Sequence, residues 1–273
     1  SNYTGGESYF SVSKKFVKIL QSHKDDGTTP EEFKEALSIY LIGYLDGCLK
    51  KEKDEDTKCR TMMVHTAREK DEHKTYKGFA EEYFTEIFNT YSKKSSINKY
   101  LKPAYENLKT TCENISNFDE LIDYLHSDDF ETPAITEINQ KSSKSLVDDR
   151  GQFPWGACYG RILIGGDLLN RGFTVEGLTI TYMPRSAKKR TQDTIQQRCR
   201  FYGYRKDYLK YCRVFLKEEV AESIEQYIDS EKKLREALLT FNEEQEKTGI
   251  SLFNWKRSES YSKEFSRYQS KSY

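Results

Sequence analysis

The chain has 273 residues, 44 of them basic and 44 acidic, so its formal net charge is zero. This balance excludes proteins that bind nucleic acid through overall basicity alone, and the length suits one large domain or two modest ones. No stretch of the sequence has the length and apolar character of a membrane span, and no signal-peptide pattern is present.

The six cysteines lie far apart and form no C-x-x-C pair. This spacing argues against a metal site built on zinc, and a disulfide framework is not expected in a chain of this size. We therefore expect reduced thiols and a cytoplasmic protein. Ser1 and Asn2 resemble the remnant of an expression tag, which suggests a piece excised from a longer protein.

Residues 1–58 are predicted to form a helical attachment. The apolar residues between Phe16 and Leu20 suggest a first helical face. Thr29 and Pro30 then supply the cap and first-turn signals of a second helix, whose apolar residues recur at helical spacing from Phe33 to Cys48. We expect this helix to bury one face, and we interpret its apolar residues as packing residues only.

Residues 59–247 are predicted to form the main α/β domain, followed by a polar tail at 248–273. A short apolar run from Thr61 to Thr66 is typical of a buried strand. A helical insertion follows at about 67–130, with helices at about 69–91, 97–114 and 118–125. Further strands are predicted at 134–138, 162–164, 178–183 and 211–216.

A long charged helix is predicted at about 218–246, with apolar residues that include Leu234 and Leu238 facing inward. Strands that alternate with helices in this way favour an α/β fold with a mostly parallel sheet flanked by helices. The sequence contains no internal repeats.

The stretch from Arg161 to Arg205 carries the strongest functional signal. Its first part, GGDLLNRG at 165–172, begins where an apolar run ends. Glycines at the end of a strand let backbone amides approach a phosphate, and Arg171 can pair with a phosphate or a carboxylate. Taken alone, this pattern is common in ordinary turns, so its interpretation depends on the second part of the stretch.

The second part, DTIQQRCRFYGYR at 193–205, predicts a short helix that runs into a turn. We call residues 185–213 the basic segment, because they include ten Lys or Arg and two Asp, a local charge of +8. The simplest interpretation of such charge is a solvated helix. The neighbouring aromatic residues Phe201, Tyr202 and Tyr204 argue against it, since solvated faces rarely carry three of them.

Together the two parts resemble motifs V and VI of the second RecA-like lobe of superfamily 2 helicases. There, a strand leads into T-D-x-x-x-R-G-x-D and a helix carries Q-x-x-G-R-x-x-R. The chain is still more similar to the endonuclease Z-one domain family of bacterial helicase-like proteins. Its hallmarks run close to G-G-N-x-L-x-R-G-x-T-x-E-G-L and D-T-x-x-Q-x-G-R-x-F-G-Y-R, and this chain has GGDLLNRGFTVEGL and DTIQQRCRFYGYR. The resemblance covers about residues 30–213.

The sequence departs from the helicase motifs at three positions. Gly166 stands where motif V begins with Thr, and Cys199 stands where motif VI has glycine. Arg205 follows Arg200 by five residues rather than three. We therefore regard Arg200 as the better-supported phosphate contact.

The resemblance implies a RecA-like lobe of the P-loop NTPase type that faces ATP held by a first lobe. In such motors, arginines of the second lobe stabilise charge on the transferring γ-phosphoryl group, which implies a catalytic role for Arg200 and Arg205. The motif V loop would contact the cofactor ATP and couple it to nucleic acid. Its candidate contact residues are Gly166, Asp167, Arg171 and Gly172.

Two further groups of residues are candidates for nucleic-acid binding. The resemblance implies such contacts for Thr66 and Arg68, at the end of the first strand of the main domain. The local positive charge suggests them for Lys188, Lys189 and Arg190. We expect DNA as the partner, with RNA as the other candidate.

The sequence has no G-x-x-x-x-G-K-[ST] phosphate loop and no acidic strand-end box. The resemblance therefore implies that ATP and Mg²⁺ bind only in a full-length protein with a first RecA-like lobe, and that this chain alone binds neither and is inactive. No carboxylate–lysine cluster supports the nuclease activity in the family label.

Two other functions remain open. The chain could be a non-catalytic α/β module that holds nucleic acid through its basic segment. It could also be a domain that binds a small phosphate-containing molecule, which would explain the glycine loop but not the second motif.

Overall fold

A computed structural model describes residues 16–21, 27–50, 59–66, 70–89, 94–138, 153–166, 169, 175–185 and 208–248. Its strands are β1 (Val17–Leu20), β2 (Arg60–His65), β3 (Ala134–Ile138), β4 (Gly160–Gly165), β5 (Leu178–Met183) and β6 (Arg213–Lys217). Its helices are α1 (Glu31–Leu49), α2 (Lys70–Asn89), α3 (Lys94–Lys109), α4 (Phe118–Leu125) and α5 (Glu218–Thr248).

The strands form one six-stranded sheet in the order β1-β6-β5-β2-β4-β3. Every neighbouring pair is parallel, and the central strands β2, β4 and β5 are buried along their whole length. The predicted α/β fold with a parallel sheet flanked by helices is therefore confirmed, and the arrangement is consistent with a RecA-like fold.

The prediction of helix between Phe16 and Leu20 is wrong, because Val17–Leu20 form the edge strand β1. Val17 lies opposite Val214 of β6, and the amide of Val214 donates to the carbonyl of Phe16 at 2.7 Å. The apolar spacing in this short run suits either structure, and pairing with a strand almost 200 residues away decides between them. The region boundaries at 58 and 247 stay predictions.

The direction of the connections places the helices on the sheet. The chain steps across the sheet in one direction from β1 to β2 and from β2 to β3, then steps back through β4 and β5 to β6. Since crossovers between parallel strands are right-handed, the helices of the first two steps should cover one face. The structure agrees, because α1 packs on β2 and β5 and α2 packs on β3 and β4.

Helix α1 is buried on all sides rather than on one face. Nearly every side chain from Phe33 to Gly47 is inaccessible to solvent. The sheet covers one side of the helix, and α2, α3 and α4 contact it on its remaining sides. The helical insertion is thus part of the same hydrophobic core as the sheet.

The chain divides into two compact units, residues 1–221 and 222–273. In the second unit the structure describes residues up to 248, all within α5. Leu234 and Leu238, which the spacing predicts to face inward, are about half exposed, at 47% and 46%. No helix of the described residues is long and apolar enough to cross a membrane.

One buried carboxylate ties α1 to its surroundings. Asp46 is fully buried and accepts hydrogen bonds from the Tyr211 hydroxyl at 2.5 Å, the Ser116 amide at 2.7 Å and the Lys50 ammonium at 2.9 Å. Burial alone would raise the pKa of Asp46, but these donors outweigh it and hold the pKa below its usual value. The ionised carboxylate is therefore the form that stabilises the fold.

We predict that Asp46→Asn lowers the free energy of unfolding by about 2–4 kcal/mol at pH 7, because it removes the buried charge these donors face. A carboxyl whose folded pKa is depressed stabilises above its unfolded pKa, near 3.9, and this contribution is lost as the pH falls through the folded pKa. The gap between variant and wild type should therefore narrow below about pH 4.

Urea unfolding followed between pH 7 and pH 3 measures this effect. The exposed Asp128→Asn is the matched control and should change the free energy of unfolding by no more than about 0.5 kcal/mol. An Asp46→Asn penalty that stays constant over this pH range would contradict the role of the ionised carboxylate.

Candidate functional site

The carboxyl ends of β2, β4 and β5 meet at one edge of the sheet. His65 lies opposite Gly165, and the register of β2 with β5 brings Met183 to the same level. After β2 the chain crosses towards β3, whereas after β5 it crosses in the opposite direction towards β6. The connections that follow these two neighbouring strands therefore run in opposite directions. In open α/β sheets such a switch point is where ligands bind. We call this group, His65, Thr66, Gly165, Gly166 and Met183, the carboxyl-edge site.

Gly165 is glycine because the site has no room for a side chain. A Cβ atom there would lie 2.7 Å from the carbonyl oxygen of Ile138 and 3.2 Å from the side chain of Leu169. The amide of Leu169 donates to the carbonyl of Gly166 at 3.0 Å, and the Leu169 side chain is fully buried. This hydrogen bond closes a turn directly after β4.

Thr66 directly follows β2, and its amide donates to the carbonyl of Gly165 at 3.1 Å. Its side chain is fully buried in the structure. A direct contact between the Thr66 hydroxyl and nucleic acid would therefore need a local rearrangement. The nucleic-acid role of Thr66 stays a prediction.

Two histidines lie at this edge that the sequence interpretation did not use. His65 ends β2 and is fully buried, and His73 in the first turn of α2 is 4% exposed. The Nδ1 atom of His73 lies 3.7 Å from a carboxylate oxygen of Glu137 in β3. The sequence signal for these two residues is a histidine at the end of an apolar strand, followed eight residues later by a second histidine.

Two of the predicted site residues, Gly166 and Thr66, lie within the described residues, and the structure brings them together at the carboxyl edge. Arg185 follows β5 at the same edge and is half-buried, so the basic segment starts there. The other predicted contacts lie outside the described residues: Asp167, Arg171, Gly172, Arg68, Lys188, Lys189, Arg190, Arg200 and Arg205.

The carboxyl-edge site and the thiols of Cys59 and Cys158, which precede β2 and β4, lie at opposite edges of the sheet. Within the described ranges, no three His, Cys, Asp or Glu side chains are grouped so as to hold a metal ion. Burial raises the pKa of the Cys59 thiol to about 11 and raises that of Cys158 above its usual value. Both thiols are therefore protonated at neutral pH and are poor nucleophiles.

The fold and the register define a parallel α/β protein whose switch point lies at the carboxyl ends of β2 and β5. The model of the Z1 domain family matches residues 11–254, most of the chain. The chain therefore belongs to the Z1 domain family. The comparison with curated proteins found no match, and neither did the comparison with solved structures.

We predict that Gly165→Ala destabilises the protein by about 1–3 kcal/mol, because the added methyl group meets the Ile138 carbonyl, a backbone atom that cannot rotate away. Gly78→Ala is the matched control: it lies in α2 with no atom within 4 Å of its Cβ position. This control should stabilise the helix by about 0.5–1 kcal/mol. Thermal unfolding measures both, and equal effects of the two substitutions would contradict the close packing at β4.

Proposed function

We propose that this chain is the second, C-terminal lobe of an ATP-dependent nucleic-acid helicase or translocase. In this proposal it supplies arginines to ATP bound by a first lobe elsewhere in a longer protein. The observation that carries the proposal is topological. The two motif-bearing segments leave from the carboxyl ends of β4 and β5, the neighbours of β2 on either side. Two segments separate in sequence thus start at one edge of the sheet, on either side of β2.

The geometry of the described residues supports nucleotide contact at this edge. Gly165 and Gly166 at the end of β4 carry no side chains, and backbone amides bind phosphate without an intervening side chain. Among the described residues, no three His, Cys, Asp or Glu side chains are grouped so as to hold a metal ion. We therefore assign the Mg²⁺ ligands and the phosphate loop to the first lobe.

In this proposal, the predicted residues act on one side of an ATP site that is shared with the first lobe. Arg200 and Arg205 would stabilise charge on the γ-phosphoryl group, and Asp167 and Arg171 would couple nucleotide binding to nucleic acid. The residues 1–273 alone would be inactive. DNA is the proposed nucleic acid, and bacterial defence against foreign DNA is one setting that fits such a motor.

A cytoplasmic location is part of the same proposal. Among the described residues, Cys59, Cys112 and Cys158 are free thiols. Free thiols of this kind suit a reducing compartment.

We predict that Arg200→Ala lowers kcat for DNA-stimulated ATP hydrolysis by the full-length protein at least about 100-fold. The reason is that the charge on the γ-phosphoryl group in the transition state loses the arginine that stabilises it. Arg235→Ala is the matched control, since Arg235 is exposed on α5 and outside both motifs. Steady-state ATPase assays with and without DNA measure the effect. Undiminished hydrolysis in Arg200→Ala would refute the role of this residue.

The alternative function is a non-catalytic module that holds nucleic acid through the +8 charge of the basic segment. We predict that replacing Lys188, Lys189 and Arg190 by glutamine weakens DNA binding. It should also reduce the slope of log K against log salt by up to about 2.7, or about 0.9 per lost phosphate contact. Titrations at several salt concentrations measure this slope.

The matched control replaces Lys232, Lys233 and Arg235 by glutamine, which removes the same charge from the exposed face of α5. If the two triple variants bind DNA equally well, the basic segment is not the binding surface. If the full-length protein binds DNA through this segment without ATPase activity, the non-catalytic alternative replaces the motor.

A further inference from the structure

The two ends of the basic segment lie at opposite edges of the sheet. Arg185 follows β5 at the carboxyl edge, whereas Tyr208 to Cys212 lead into the amino end of β6. Leu209–Tyr211 form one turn of 3-10 helix, closed by the Tyr211 amide on the Tyr208 carbonyl at 3.0 Å. A turn of this kind is closed by its own backbone hydrogen bond, yet several side chains also contact this one.

Side chains from three distant parts of the chain hold this turn. Asp46 of α1 accepts the hydrogen bond from the Tyr211 hydroxyl. The Thr111 hydroxyl, just beyond α3, donates to the carbonyl of Lys210 at 2.6 Å. The guanidinium carbon of Arg60, at the start of β2, lies 4.9 Å from the ring centre of Tyr211 and 5.6 Å from that of Tyr208.

Arg213 extends the same network from the first residue of β6. Its Nε donates to the Asn107 side-chain oxygen at 2.8 Å, and its Nη2 donates to the Asn107 carbonyl and the Thr111 hydroxyl, both at 2.9 Å. Its Nη1 donates to the Cys212 carbonyl at 2.7 Å. We call this group the amino-edge anchor; its members are Asp46, Arg60, Asn107, Thr111, Tyr208, Tyr211 and Arg213.

The anchor concentrates buried charge around one short turn. Asp46, Arg60 and Arg213 are all at least 97% buried. Removing charges from water is costly, and apolar packing of similar volume often stabilises a fold as well or better. Buried ionic groups can instead serve to fix a single conformation. What is fixed here is the entry of the basic segment into β6.

We infer that the amino-edge anchor is a positioning device for the basic segment. Asp46, Arg60, Asn107 and Thr111 hold Tyr208–Arg213 and so determine how the arginines that precede this turn are presented. Arg205 precedes Tyr208 by three residues, so any shift of the turn reaches it through few bonds. The inference rests on the proposed function, and it gives the helical insertion a role, since Asn107 and Thr111 belong to it.

The test uses the full-length protein with Tyr211→Phe, which removes the hydroxyl that Asp46 accepts and keeps the ring beside Arg60. The matched control is Tyr83→Phe, which removes a buried hydroxyl bonded to Ser38 at 2.6 Å in the same core, away from the anchor. Melting temperatures of the two variants check that their overall stability losses are similar. Should Tyr211→Phe fail to fold, Thr111→Val removes the hydroxyl bonded to the Lys210 carbonyl instead.

Two measurements separate positioning from stability. Amide hydrogen exchange in residues 186–213 should be at least about fivefold faster in Tyr211→Phe, the effect of losing one buried hydrogen bond, and unchanged in Tyr83→Phe. In DNA-stimulated ATP hydrolysis, kcat should fall about five- to tenfold in Tyr211→Phe, while KM for ATP changes less than about twofold.

The outcomes distinguish this inference from the proposed function. Equal exchange rates in the two variants would overturn the positioning role. Faster exchange in Tyr211→Phe together with a kcat equal to that of Tyr83→Phe would overturn it as well. A wild-type protein without ATPase activity would refute the motor, and the exchange comparison alone would then show whether the anchor holds the segment.

Discussion

The burial of α1 on all sides is the constraint on which the rest of this structure depends. A helix covered by the sheet on one side and contacted by α2, α3 and α4 on its remaining sides must be apolar around its whole circumference, and residues 33–45 nearly are. Its burial fuses the helical insertion to the sheet, because both pack on the same helix. It also explains why the single charge near its end, Asp46, is surrounded by three hydrogen-bond donors.

The amino and carboxyl ends of the strands have different surroundings in this arrangement. At the carboxyl edge, the ends of β2, β4 and β5 lie side by side and two glycines end β4, at the switch point where such sheets bind ligands. At the amino edge, the entry to β6 is held by charged and hydroxyl side chains from α1, β2 and the region after α3. The basic segment runs from the first edge to the second, so one edge would present its chemistry and the other would fix its position.

Local sequence patterns predicted the elements whose signals are local. The bounds of Ala134–Ile138, Leu178–Met183 and Phe118–Leu125 agree with the prediction. Two of these are short β-branched apolar runs, and the third starts at Asn117 with a capping box completed by Glu120.

Elements that depend on distant partners could not be predicted. Val17–Leu20 form a strand because β6 offers an edge, and nothing within the run itself distinguishes it from a helix. Asp46, Arg60 and Arg213 become buried because their partners come from elsewhere in the chain, in the case of Asp46 and Tyr211 from 165 residues away. A charge inside an otherwise apolar helix was the only local sign of that network.

The central claim is that this member of the Z1 domain family provides one side of a nucleotide site that another lobe completes. The most direct measurement compares DNA-dependent ATP turnover by residues 1–273 alone with turnover by the full-length protein at equal concentration. We predict turnover by the full-length protein and none by the shorter chain. ATP hydrolysis by residues 1–273 alone would contradict the claim, because the chain would then hold a complete site.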